Sequence, residues 1–182
     1  TELDEAGIGR IVEAFAAAAR RAVEAGYDVV EIHGAHGYLI HEFLSPLSNT
    51  RTDEFGGSPE GRRRFALQTA AAVREAVGGE TVLGIRLSAT DWAEGGLTGE
   101  DTAELAPQLV AAGVDVLHIS TGGNVPAQVP VGPGYQVPFA ARVKAAVAGT
   151  TTPNGGEPVV VTVGVITEAA QAEQIVATGQ AD

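Results

Sequence analysis

An α/β fold built on parallel strands is what the sequence predicts, and three observations carry it. Helical and strand periodicities alternate from end to end of the 182 residues, a glycine closes most of the helical stretches, and Val159 to Val165 is a nearly continuous β-branched run. Such a run is the pattern of a strand buried on both faces. Strands joined through helices are parallel, with right-handed crossovers. No linker or shift in composition divides the chain, so a single domain over residues 1–182 is expected. Periodicity alone leaves two architectures open, a doubly wound sheet and a (β/α)8 barrel, although a closed barrel normally needs about 250 residues.

From Asp4 to Ala25, Ile8, Ile11, Val12, Phe15, Ala18, Ala19, Ala22 and Val23 fall on one helical face, and Gly26 ends the helix. Asp28 to His33 is a strand. Gly34 to Gly57 carries few regular signals and reads as a long loop, which in a small domain is usually functional. Ser58 as N-cap and Pro59 at the first helical position open a helix that runs through Arg63 to Val77 and closes at Gly78.

Thr81 to Ser88 is the second strand. Thr98, with Asp101 three residues on, opens a helix ending at Gly113, and Pro107 inside it should remove one hydrogen bond and bend it. Val114 to Ser120 is the third strand, followed by a loop rich in glycine and proline from Thr121 through Val137. Pro138 to Val147 reads as a short helix and Val159 to Val165 as the fourth strand. Thr167 is expected to cap a last helix that reaches Thr178 and stops at Gly179.

Composition excludes several kinds of chemistry. With no cysteine there is no disulfide, thiolate metal site or thiol nucleophile. Eleven basic against twenty-three acidic residues give a net charge of -12, which repels nucleic-acid phosphates and anionic membranes. Thr1 to Arg10 lacks the apolar core of a signal peptide, and no stretch is long enough to span a bilayer. A soluble, cytoplasmic protein is the simplest expectation.

The polar groups concentrate where the first strand ends, at His33-Gly34-Ala35-His36-Gly37-Tyr38. In parallel sheets and barrels that end holds ligands, because the loops there vary without disturbing the core. Two imidazoles and a phenol form a set of donors for a carbonyl oxygen and a proton. His-x-x-His could also begin a zinc site, but no third ligand stands at a familiar spacing, and one histidine could merely cap the strand.

Arg86 lies in an apolar strand, where a charge needs an anion or an electron-rich ligand. A structural salt bridge to Glu31 and a ligand contact are both open. Gly122, Gly123 and Gly164, at strand ends, could let backbone N–H groups approach a phosphate, though turns use glycine everywhere. Trp92 is assigned to packing and Arg62-Arg63-Arg64 to a solvated or loop-tethering face. No Gly-x-Gly-x-x-Gly or Walker pattern occurs.

Glu31-Ile32-His33-Gly34-Ala35-His36-Gly37-Tyr38-Leu39, then Glu42-Phe43-Leu44-Ser45-Pro46 and Ser48-Asn49-Thr50-Arg51-Thr52-Asp53-Glu54-Phe55-Gly56-Gly57-Ser58-Pro59-Glu60, resemble the Old Yellow Enzyme family of flavin-dependent ene-reductases. The His/His pair is similar to its bacterial NADPH dehydrogenase subgroup, as are Gly84 to Ser88 and Gly132 to Val137. Phe55 in place of tyrosine and Gly61 in place of asparagine are the departures in the loop signature.

That resemblance implies an incomplete (β/α)8 TIM barrel, approximately strands four to seven of eight, from a protein about twice as long. It implies FMN at the barrel mouth, recharged by NADPH or NADH, and reduction of the activated C=C bond of an enone or nitroalkene. By the same likeness His33 and His36, with Gly34 and Ala35 between them, bind and polarise the substrate oxygen. Tyr38 donates the α-proton opposite the hydride from flavin N5, and Arg86 faces the pyrimidine side of the flavin. Ser120, Gly122 and Gly164 lie near the flavin phosphate, and the full-length protein forms a homo-oligomer. A metal-dependent barrel hydrolase using His33, His36 and an acidic residue, and a fragment that binds nothing by itself, are the alternatives. Either way, two unpaired sheet edges are expected, at Asp28–His33 and Val159–Val165.

Overall fold

The computed structural model describes residues 2–182 as four strands and six helices in strict alternation but for one extra helix. Asp4 caps the first helix, α1 (Glu5–Glu24), its carboxylate accepting from Gly7 N–H at 2.6 Å. The chain then forms β1 (Val29–Gly34), α2 (Leu39–Leu44), α3 (Pro59–Val77), β2 (Val82–Ser88), α4 (Gly99–Ala111), β3 (Val116–Ser120), α5 (Val137–Ala146), β4 (Val159–Thr162) and α6 (Ala169–Ala177). Ser58 caps α3 ahead of Pro59, and Thr98 with Asp101 forms a reciprocal capping box on α4, both as expected. Helix α4 runs through Pro107 to Ala111.

All four strands are parallel and lie in the order β1-β2-β3-β4. Sequential order decides between the two architectures. Right-handed crossovers that always step in the same direction put every helix on the same face of the sheet, whereas a doubly wound sheet must reverse its order. Burial agrees: Ile32, Leu83, Ile85, Leu87, Leu117, Ile119 and Val160 enter one core with Phe65, Leu109 and Val143 from the helices. Residues on the alternate face, such as Val29, Glu31 and His33, are exposed. The sheet is thus an arc of a (β/α)8 barrel, helices outside and the concave face open. Both outer edges, on β1 and on β4, are unpaired within the chain.

Three elements differ from expectation. A helix, α2, interrupts the long loop, burying Ile40, Phe43 and Leu44. Its six residues are too few for a clear period, and Tyr38 at its N-cap makes no side-chain cap bond. The last strand stops at Thr162 instead of Val165, because Gly164 and Val165 take φ of +108° and +54°, which no extended strand allows. Nor is it buried on both faces: Val159 is 41% exposed, since the concave face has no opposite wall in this chain. Finally, α6 begins after Glu168, which offers no side-chain cap bond, instead of after Thr167.

At the N-terminal ends of the strands, Arg74 of α3 closes the sheet from below. It pairs with the Asp115 carboxylate and donates to the carbonyls of Gly113 and Thr81, each at 2.8 Å. Asp115 also accepts from Leu83 N–H at 2.9 Å. A clamp on the side away from the ligand end serves stability.

Candidate active site

Register brings the expected residues together. His33 on β1 stands beside Arg86 on β2, and Arg86 beside His118 on β3, so all three share the concave face in one row. Ser88 and Ser120 pair one step above that row, toward the C-terminal ends. Beyond β1 the chain turns through His36 and Gly37, with φ of +56° and +76°, and delivers Tyr38 to the surface at 63% exposure. The His33 ring lies 5.4 Å from that of His36 and 5.0 Å, edge to face, from that of Tyr38.

The turn is fixed by hydrogen bonds from two neighbouring loops. His36 N–H donates to Ser88 Oγ at 3.0 Å, and the same hydroxyl donates to the Gly122 carbonyl at 2.8 Å. His36 Nε2 meets Ser120 Oγ at 2.8 Å. Backbone packs on backbone here: a Cβ placed on Gly123 would fall 2.6 Å from His36 Cα, so only glycine fits.

Both imidazoles are held below their ordinary pKa of 6.5. Burial is the main cause in each, followed by the positive charge of Arg86; Glu31 partly offsets this for His33, and His33 adds to it for His36. At neutral pH both rings are therefore uncharged, each with one N–H to donate.

Arg86 is half buried, and its Nε has no hydrogen-bond partner. The Arg86–Glu31 bridge considered as an alternative does not form. Glu31 instead leans across Gly84, where there is no side chain, and its Oε2 reaches His118 Nδ1 at 2.9 Å. An unsatisfied guanidinium N–H of this kind is uncommon in a folded chain.

The Gly122 N–H, expected to be free, is taken by the Thr90 carbonyl at 2.8 Å, so this glycine offers no donor. Gly164 lies beyond β4, its carbonyl accepting from Gly134 N–H at 2.8 Å. Gly34 and Ala35 are buried beneath the turn.

The rest of the signature organises the loop. Asn49 Nδ2 bridges the carbonyls of Phe43 at 2.7 Å and Phe55 at 2.8 Å, and Arg51 pairs with Asp53. Arg62 and Arg64 donate to the carbonyls of Leu44 at 3.2 Å and Glu54 at 2.9 Å, the loop-tethering role expected of the arginine run. Trp92 packs edge to face on Phe139 at 5.2 Å. No three His, Asp or Glu side chains converge as a metal site among the described residues, and no helix there is long and apolar enough to cross a membrane.

Sequence reasoning passed over Ser88, His118, His41 and Asp91. A signal for the first two existed, since each is a polar residue at a strand position in register with a chosen site residue. His41 and Asp91 are fifty residues apart and carried no local signal.

Fold and site together define a segment of a (β/α)8-barrel enzyme whose polar cluster sits at the C-terminal mouth. Comparison with known proteins gives the family. Residues 1–182 match the model of the NADH:flavin oxidoreductase / NADH oxidase family, and the chain belongs to it. The likeness to Old Yellow Enzyme is borne out.

Among similar proteins, NADPH dehydrogenase of Geobacillus sp. (strain WCH70) is 48% identical over 181 residues, 100% of this chain and 50% of the relative. That of Geobacillus thermodenitrificans (strain NG80-2) is 46% identical over the same share. A 2-naphthoyl-CoA reductase, solved with 2-naphthoyl-CoA, superposes with a TM-score of 0.88 at 32% identity, over 100% of this chain and 27% of that one. Morphinone reductase, in complex with tetrahydroNAD, gives 0.75 at 30% identity over 99% and 45%. The chain spans about half the length of the curated relatives it matches.

Proposed function

We propose that this chain supplies the substrate-activating part of an FMN-dependent NAD(P)H ene-reductase acting on α,β-unsaturated carbonyl or nitro compounds. The observation that carries the proposal is the grouping of two neutral imidazoles and a phenol at the strand end next to an arginine with an unsatisfied N–H.

FMN fits the concave face: Arg86 Nε is an orphaned donor there, suited to the oxygen- and nitrogen-rich edge of the flavin ring. Ser120 faces the same mouth, whereas the Cβ positions of Gly122 and Gly164 are lined by Trp92 and by Gln136 and Tyr135. When bound, FMN supplies the hydride and takes its electrons from NADPH or NADH.

His33 and His36 donate to the substrate oxygen. Because both rings are uncharged, the bonds strengthen as that oxygen gains negative charge, and such preorganised donors are worth up to a few kcal/mol each. Ser120 and Ser88 hold His36 in position, so little reorganisation is needed when substrate arrives. Tyr38 gives its phenolic proton to the α-carbon and recovers it from solvent, to which it is open.

The test is spectroscopic. Produced within a complete barrel, the protein is expected to be yellow, to be bleached by NADPH and to be reoxidised by 2-cyclohexenone. Purification without flavin, with no reconstitution by FMN, would overturn the proposal. The open concave face and unpaired edges favour a second reading for the 182-residue chain by itself, that it binds no flavin. Quenching of FMN fluorescence on titration with the chain decides that point.

A further inference from the structure

A buried pair behind the active-site turn takes no part in the chemistry above, yet it touches the turn directly. His41 of α2 is fully buried, and its two ring nitrogens face opposite ways. Nδ1 accepts from Gly37 N–H at 3.0 Å, and Nε2 lies 2.9 Å from Asp91 Oδ1. The other carboxylate oxygen of Asp91 accepts from Ser45 Oγ at 2.6 Å and from Leu97 N–H at 2.8 Å.

This arrangement sets the state of the ring. A nitrogen that accepts from a backbone N–H carries no proton, so in the neutral ring the proton sits on Nε2, the nitrogen that faces Asp91 Oδ1. Asp91, itself held by two donors, Ser45 Oγ and Leu97 N–H, stands 2.9 Å from that nitrogen and favours the orientation of the ring. Gly37 is the residue between His36 and Tyr38, with φ of +76°, a conformation that needs an outside tether to be unique.

We propose that His41 is a positioning residue for alkene reduction: its Nδ1 clamps Gly37 N–H and thereby fixes the relative placement of His36 and Tyr38. The kinetic part rests on the ene-reductase reading; the structural part does not.

Two substitutions separate the functions of the ring. Asparagine places an oxygen near the Nδ1 position and can still accept from Gly37, whereas glutamine places its amide near Nε2 and can still donate to Asp91. In the flavin-loaded protein with a complete barrel, His41→Gln is expected to slow flavin reoxidation by 2-cyclohexenone by about 10- to 100-fold, the scale on which misplacement of reacting groups acts. Flavin reduction by NADPH should change much less, and His41→Asn should retain most of the reoxidation rate. Equal losses in both variants, or none in His41→Gln, would overturn the proposal.

Gly37 amide hydrogen exchange gives a readout independent of flavin: faster in His41→Gln and protected in His41→Asn. Should neither variant fold, nitrogen NMR of the unmutated protein still decides, since a protonated Nδ1 on His41 would overturn the clamp. A protein that binds no flavin but shows the protected Gly37 amide and bare Nδ1 refutes the ene-reductase reading while leaving the clamp standing.

Discussion

Ser88 ties His36 to the neighbouring strand: its hydroxyl accepts from His36 N–H at 3.0 Å and passes its own proton to the Gly122 carbonyl at 2.8 Å. One side chain thus joins the loops after β1, β2 and β3. Ser88→Ala leaves a buried donor and acceptor unmet, at a cost of about 1–3 kcal/mol. Thermal unfolding should show that loss, and the KM for enone should rise as His36 loosens. An unchanged melting temperature together with an unchanged KM would mean that water replaces the hydroxyl without consequence.

Ser88 also shows where sequence reasoning reaches its limit. The alternation of periods gave the parallel α/β class, and Ser58, Thr98 and Gly179 marked helix ends by local chemistry that survives into the fold. His33, Arg86 and Tyr38 were found because polar groups at the end of an apolar run are conspicuous. What Ser88, His118 and Asp91 do depends on strand register and on contacts across dozens of residues, which no local pattern encodes. Helix α2 and the early end of β4 were missed for a related reason: a single turn of helix carries too short a period, and the positive φ of Val165 belongs to tertiary context.

Arg74 should matter for stability and little for catalysis. It is 12% exposed, bonds to Asp115 and to backbone carbonyls beneath the sheet, and lies at the end of the strands away from His33. Arg74→Ala strands the Asp115 carboxylate, and breaking such a pair costs about 3–5 kcal/mol. Denaturant unfolding should register it, with both flavin half-reactions unaffected where the variant is folded. Arg74→Lys should recover only part of the loss, because one ammonium cannot replace the guanidinium fork. A rate loss in folded Arg74→Ala would show that the two ends of the barrel are coupled.

Acid should act on the histidine pair. Burial and Arg86 hold His33 and His36 below 6.5, so the unfolded chain takes up their protons more readily than the folded one. Neutral histidines with depressed folded pKa values contribute stability that is complete above about 6.5 and is lost as pH falls below it toward the folded values. Ring-proton NMR should place both titrations below 6.5, and melting temperature should begin to fall in that window. Titration of either ring at or above its ordinary value would contradict neutral donors held by burial.

Tyr38 and the two histidines should fail in different ways. The histidines act on the substrate oxygen, so His33→Ala and His36→Ala should weaken binding of phenolic ligands and slow reoxidation by enone, each by up to a factor of about 100–1,000. Tyr38 acts on the α-carbon, so Tyr38→Phe keeps the ring that packs edge to face with His33 and removes only the hydroxyl that carries the proton. Phenol affinity should then be nearly unchanged, flavin reduction by NADPH should proceed as before, and reoxidation by 2-cyclohexenone should slow by about 100-fold or more. Stopped-flow measurement of the two half-reactions separates these outcomes. Equal slowing of both in Tyr38→Phe would remove tyrosine from the proton-transfer step, whereas unchanged phenol affinity in the histidine variants would remove that pair from oxygen binding.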